Sequence, residues 1–435
     1  MDKSPPASPA PARPRRRLRK ALFAAVAVIL ALLALTVLLK VLEATGVIGT
    51  HRLDDRVAYL PDNWLKVKHR KDGDRWRIRH GAMLKTTFTV PPPPDTVRLV
   101  VVGGSFAMGT PYVHQKTNKA IGHGGIPDWL RAELRARFPQ RRIEVINAAG
   151  GGINSGPVRG IVERLAQARP DALIVATGNN EGFVPATRFH EALHEWIVYR
   201  ALTTALRPPP PAAQRDFFML QDDDNRAIER RYRENIVAMI DAAKREKTPL
   251  ILCTMPINLL FNGPYPPVKS YPYPTDDEEL NAGIEAQNEG DYAAAIEHYS
   301  ASEHPSFAAL YIAQCFLAQE QFEQAKRFLR LHVQLDPKNR TRPSYNDFLR
   351  EIAAERQVLL ADLERRAEDL SPHGLPGSNL FVDYCHLNWN GYYEMSQAIL
   401  DVLSTNLPAL SEPGPKPTLA DLIAHEGWND LPELN

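Results

Sequence analysis

Three times in this chain an apolar run that reads as a strand empties into a glycine-rich or polar turn and is followed by a helical pattern. The runs are "TVRLVVVGGS" ending at Ser105, "RIEVINAAGGGINS" ending at Ser155, and "PDALIVATGNNEG" ending at Gly182. A fourth unit, "YRENIVAMIDAAKREKTPLILCTMP", is a helix followed by a strand. Strands separated by helices cannot be joined by hairpins. They form a mostly parallel sheet covered on both faces, and in such a sheet chemistry gathers at the carboxyl ends of the strands. Within the first unit Val97–Val102 is the strand; "PDWLRAELRARF" then places Leu130, Leu134 and Phe138 on one helical face, with Asp128 as its cap. The strands Ile143–Asn147 and that starting at Ala172 follow, with a returning helix over Pro157–Ala168.

Two segments fall outside this rhythm. The first twenty residues carry seven Lys/Arg against one acid, although the whole chain of 435 residues has a net charge of only +1. The remainder is therefore slightly acidic, which argues against nucleic acid as a partner. The basic block runs into "ALFAAVAVILALLALTVLL", Ala21–Leu39, nineteen residues with Thr36 as the one polar side chain. At 1.5 Å per residue this is roughly 28 Å, the thickness of a bilayer's hydrocarbon. The run is long for the apolar part of a cleaved signal and has no polar face for a core helix. It reads as an uncleaved single-pass anchor in the cytoplasmic membrane, with Arg13–Lys20 inside and the rest on the extracytoplasmic, periplasmic side.

The second is Glu278 to about Pro337, which is helical throughout. "EGDYAAAIEHY" and "EQFEQAKRFLRLHVQLDP" align Tyr292 with Phe322 and Ala295 with Ala325, a spacing of 30. This resembles the tetratricopeptide pattern, whose period is 34; about 60 residues are too few for an independent solenoid, so a buttress on the sheet is preferred to a protein-binding groove. The expected organisation is thus a basic tail (1–20), transmembrane helix (21–39), linker and extension (40–94), first catalytic part (95–277), helical insertion (278–340), second catalytic part (341–410) and a C-terminal tail (411–435). The helical pattern resumes over Tyr345–Leu370, and a last core helix follows "DYCHLNWNGYY".

Val101–Thr110, "VVGGSFAMGT", lacks the lysine of a Walker loop, the third glycine of a dinucleotide fingerprint and the G-x-S-x-G of a hydrolase elbow. What it offers is a serine just beyond a buried strand, with Gly103 and Gly104 permitting a tight turn and the amino end of a helix favouring negative charge. A serine nucleophile needs a base. Asp383 and His386, three residues apart in "DYCH", can lie on one side of a turn, the carboxylate holding the imidazole while the other ring nitrogen takes the serine proton.

Together these segments resemble the SGNH (GDSL-like) hydrolase superfamily over roughly Val97–Leu403, the helical insertion excepted. "VVVGGSFAMG" is similar to its nucleophile block, "VINAAGGGINS" to the second, "TGNNEG" to the third and "FVDYCHLNWNGY" to the last. The resemblance implies a three-layer, flavodoxin-like α/β sandwich and a catalytic triad of Ser105, His386 and Asp383. It also implies an oxyanion hole from the N–H groups of Ser105 and Gly152 (or a neighbour within Gly150–Gly152) and the Asn180 side chain. Gly104 and Glu181 stand where the family has Asp. The implied activity is ester hydrolysis through an acyl-enzyme, with acyl transfer by the same triad as one alternative and a membrane-anchored assembly protein as another. The expected substrates are acylated or acetylated small molecules, glycans or lipids, with O-acyl groups on envelope glycans foremost.

No cofactor or metal is expected. Cys253, Cys315 and Cys385 have no ligand spacing and read as small buried hydrophobes, and His114, His190, His194 and His298 are scattered. "HGG", His123–Gly125, reads as a turn. Phe261–Pro274 reads as a crossing into the insertion or a loop over the pocket, and Trp389 and Asn390 as neighbours of the acyl site.

Overall fold

In the computed structural model the described residues are 14–45, 47, 64–71, 73–80, 84–113, 123–182, 193, 196–206, 222–261, 276–335 and 340–428. The chain divides into two units. One comprises residues 1–55 and 186–211, the other 56–185 and 212–435. His114, His190, His194, most of the 261–274 stretch and the extreme termini lie outside the described residues.

In the first unit a single helix, Pro14–Ala44, contains the apolar segment and extends the basic block into the same helix. Its window Leu22–Leu42 is long and apolar enough to cross a membrane. The helix Ile197–Leu206 packs beside it.

In the second unit five strands form a parallel sheet: β4 (Thr96–Gly103), β5 (Arg142–Asn147), β6 (Ala172–Ala176), β7 (Leu250–Cys253) and β8 (Leu359–Ala361). Their order is β5-β4-β6-β7-β8, a doubly wound arrangement whose reversal point lies at β4. The continuous apolar runs have a simple cause: alternate residues enter two different cores. Leu99, Val101, Ile174, Ile251 and Cys253 join one core with the helices Ile126–Arg137 and Trp389–Asn406. Val100, Val102, Leu173, Val175 and Leu252 join the other with Ser155–Leu165, Asp222–Arg245 and Pro343–Arg356.

Several expectations need correction. β8 lies inside the stretch Tyr345–Leu370 that reads as helical; Gln357, at φ 52°, stops the helix Pro343–Arg356 in a left-handed cap and releases "VLLA" as a short edge strand. Asp128 is not the N-cap of its helix. Gly125 is, and Asp128 at the third helical position accepts the Gly125 N–H at 3.2 Å. The extension 40–94 is not merely a linker, since β1 (Leu65–Lys68), β2 (Asp74–His80) and β3 (Leu84–Val90) form an antiparallel meander. Its Trp76, Ile78 and Phe88 belong to the same core as Val100 and Val102. The tail is also part of the fold: Leu422 and Trp428 enter the opposite core, and the Trp428 ring meets Trp129 edge-on at 4.6 Å and stacks on His123 at 4.9 Å.

Among the described residues four helices lie between β7 and the helix Pro343–Arg356: Glu278–Glu289, Tyr292–Ala301, Pro305–Ala318 and Phe322–Leu335. Tyr292 and Phe322 open their helices, and Ala295 and Ala325 are both fully buried. Leu310, Ala313, Leu329 and Val333 pack on Ile257 and Leu259 of the segment leaving β7, so the helices rest on the sheet's carboxyl edge.

Candidate active site

Gly103 ends β4 where the sheet is tightest: a Cβ there would fall 1.9 Å from the Ala176 carbonyl oxygen of β6. Gly104 is constrained differently, because a Cβ would meet the Asn180 amide nitrogen at 2.9 Å and the Ile153 carbonyl oxygen at 3.2 Å. An Asp at 104 would have to push the Asn180 side chain aside. Ser105 follows as the first residue of a helix of only four residues, Ser105–Met108, a single turn. Its far end is held from two sides. Asn147 Nδ2 donates to the Met108 carbonyl at 3.1 Å, and the Tyr392 hydroxyl to the Thr110 carbonyl at 2.7 Å.

The turn before the last core helix brings His386 to this serine. A bridge between Phe381 and Leu387 closes the turn, and Asn388 caps the helix through the Gly391 N–H. His386 Nε2 lies 2.8 Å from Ser105 Oγ, and His386 Nδ1 lies 2.7 Å from Asp383 Oδ2. The other Asp383 oxygen accepts the backbone N–H groups of Cys385 (2.8 Å) and His386 (2.7 Å). Burial works against the ionised Asp383, but the imidazole and these two N–H groups hold its pKa below the ordinary carboxylate value. Burial likewise disfavours a charged His386, but the Asp383 carboxylate bonded to its ring outweighs it and raises the histidine pKa.

Asp383, Cys385 and His386 also place three metal-type ligand atoms within 4.8 Å of one another, the one such group among the described residues. The set does not fit a cation well. Both Asp383 oxygens and both ring nitrogens have hydrogen-bond partners, and burial pushes the Cys385 thiol up, toward its protonated form. Cys253 and Cys315 are likewise free and buried.

Facing the serine are the two remaining loops. Gly152 has φ +71°, a left-handed conformation suited to glycine, in the loop between β5 and the helix Ser155–Leu165. The Gly150 N–H is committed to the Gly103 carbonyl at 3.0 Å, which favours Gly152 over Gly150 as a donor toward a bound group. Asn180 Nδ2 donates one hydrogen to the Ile153 carbonyl at 3.1 Å. Glu181, next along, accepts the Ser155 hydroxyl (2.6 Å) and N–H (3.0 Å), joining the two loops behind the pocket. Desolvation raises the Glu181 carboxyl to about 7.

Three supporting residues escaped sequence reasoning. Asn258 Nδ2 donates to the Asp383 carbonyl at 2.8 Å. The Thr341 N–H donates to Asn179 Oδ1 at 2.9 Å, and Asn346 both donates to and accepts from the Met255 backbone at 2.8 Å. The residues at both ends of the helical insertion thus brace the triad turn and the Asn180 loop. For Asn258 the one sequence signal is its place in "TMPIN", directly after an apolar strand; Thr341 and Asn346 have none. Trp389 is half-buried against the core, and His298 pairs with Glu279 at 2.8 Å, apart from this cluster.

No protein-family model matches the chain, and no curated protein matches it. Among solved structures it is similar to TesA, with 13% identity, TM-score 0.33, and 71% of this chain and 98% of that one covered. It is also similar to a catalytic mutant of Axe2, an acetylxylan esterase from Geobacillus stearothermophilus (13% identity, TM-score 0.34, 70% and 93% covered). A third is a GDSL-like lipase from Bacteroides thetaiotaomicron, with 11% identity, TM-score 0.34, and 73% and 92% covered. The likeness is distant, and the reading of the site rests on its own geometry.

Proposed function

We propose that the protein is a serine esterase working through Ser105, His386 and Asp383. The observation that carries this reading is the unbroken hydrogen-bonded relay Ser105 Oγ, His386 Nε2, His386 Nδ1, Asp383 Oδ2, with both links under 3 Å. Ser105 Oγ attacks an ester carbonyl carbon while His386 Nε2 takes its proton, and Asp383 holds the ring and stabilises the imidazolium. The tetrahedral oxyanion lies against the N–H groups of Ser105 and Gly152 and the Asn180 amide; one such donor is worth roughly 3–4 kcal/mol. The carbon–oxygen bond to the leaving group breaks as His386 gives it the proton. Water, deprotonated by the same nitrogen, then frees the acid and restores Ser105. An acceptor alcohol in place of water turns the same cycle into acyl transfer.

The basic block and apolar helix support a membrane-anchored enzyme facing outward, for which acylated envelope glycans are the foremost substrates. In the soluble fragment from about Thr45, Ser105 is expected to react with a fluorophosphonate probe, and the fragment is expected to release acid from short-chain aryl esters and acetylated glycans. A folded fragment that neither labels nor turns over any of these overturns the esterase reading.

A further inference from the structure

Thr36 is the one polar residue between Ala21 and Leu39. Its hydroxyl donates to the Leu32 carbonyl one turn back at 2.7 Å, as threonine does in an apolar helix, and accepts the indole Nε1–H of Trp196 at 3.2 Å. The partner comes from 160 residues further along the chain. It introduces the helix Ile197–Leu206, "IVYRALTTAL", which packs along the same apolar helix.

The position of Thr36 fixes the depth of this contact. It lies three residues inside Leu39, the end of the apolar run before Lys40, and so about 4.5 Å along the helix axis from that end. A ring bonded to Thr36 is therefore at the boundary of hydrocarbon and headgroups or just below it. That is where tryptophan, with an apolar ring and one N–H, is most favourable. Ten residues make a helix of about 15 Å, half the hydrocarbon thickness, too short to cross and suited to lying along the boundary. Ile197 is fully buried, whereas Trp196 and Leu202 are 38% and 56% exposed. The outward apolar side chains are thus at the level of lipid.

We infer that Trp196–Leu206 is a second membrane-contacting element, seated in the outer leaflet of the lipid bilayer beside the anchor; the inference rests on the anchor reading above.

The test uses the full chain reconstituted in phosphatidylcholine–phosphatidylglycerol vesicles. An environment-sensitive NBD fluorophore is attached at Leu202→Cys in one preparation and at Leu32→Cys in another, with the unsubstituted protein, whose three cysteines are buried, as the labelling blank. Blue-shifted emission and quenching by doxyl-labelled lipid at both positions are expected, with Leu202→Cys quenched more by a shallow than by a deep doxyl group. Quenching at position 32 with water-like emission at 202 overturns the inference while leaving the anchor intact. A blue-shifted but unquenched probe at 202 overturns it in favour of a second protein surface. Loss of quenching at both positions removes the anchor reading and the inference with it.

Discussion

Two carboxylates are buried near Ser105, one in the turn carrying His386 and one in the loop carrying Asn180, and their surroundings treat them in opposite ways. Asp383, in the turn carrying His386, meets an imidazole and two backbone N–H groups and is held ionised. Glu181, behind the Asn180 loop, meets only the hydroxyl and N–H of Ser155 with Arg231 farther off, and its carboxyl is raised to about 7. Burial alone does not decide the charge of a buried acid; the number of donors aimed at it does. The first is surrounded so as to keep its charge, the second so as to hold two loops together.

That contrast can be broken at either side. The largest effect is expected on the triad side. Ser105→Ala should abolish fluorophosphonate labelling, and Ser105→Ala and His386→Ala should each lower kcat for aryl esters by on the order of 10⁴-fold or more. Retained turnover in either variant would move the chemistry elsewhere. Next is Asn180→Ala, expected to reduce kcat about 10²–10³-fold with KM nearly unchanged, because the lost donor acts mainly on the transition state. A rise in KM at constant kcat would instead make Asn180 a ground-state binding residue.

The pH dependence sharpens the comparison further. The base must be neutral to accept the Ser105 proton, and its pKa is raised above the ordinary 6.5. Activity should therefore be lost as pH falls through that raised value, placing the acid limb of the kcat/KM profile above pH 6.5. The smallest effect is expected at Glu181→Gln, which imitates the protonated acid. A carboxyl raised from 4.5 to about 7 in the folded state binds its proton more tightly there than when unfolded. Its ionisation therefore lowers stability as pH rises from about 4.5 to 7. The glutamine variant should melt a few degrees above the parent at pH 8 and level with it at pH 4. A lower melting temperature at pH 8 would mean that Glu181, like Asp383, is needed as an anion.

The parts of this architecture written plainly in the sequence are those whose residues serve one local purpose. Val97–Val102 is apolar at every position but Arg98 because both faces of β4 are covered, and Ser105, Asn180 and His386 stand out because each follows a strand or precedes a helix. What was hidden depends on partners far along the chain. The "VLLA" of β8 is too short to declare itself and becomes a strand only by pairing with Ile251–Cys253. Asn258, Thr341 and Asn346 are ordinary polar residues until the insertion folds back and closes their hydrogen bonds. Trp428, in a proline-containing tail, gains its meaning from Trp129, three hundred residues earlier in round numbers.

The guanidinium of Arg98 is wholly buried, and it reaches both Glu144 of β5 and the Thr89 carbonyl of β3. Peeling the β1–β3 meander away would strip that cation of one of its acceptors and expose the core side of Trp76 and Phe88. The meander and the parallel sheet should accordingly exchange their backbone amide protons as one cooperative block rather than opening in sequence. Cutting the chain at Pro94 would then be an unfolding event, not a trimming, and a proteolytically stable catalytic fragment begins no later than Trp64.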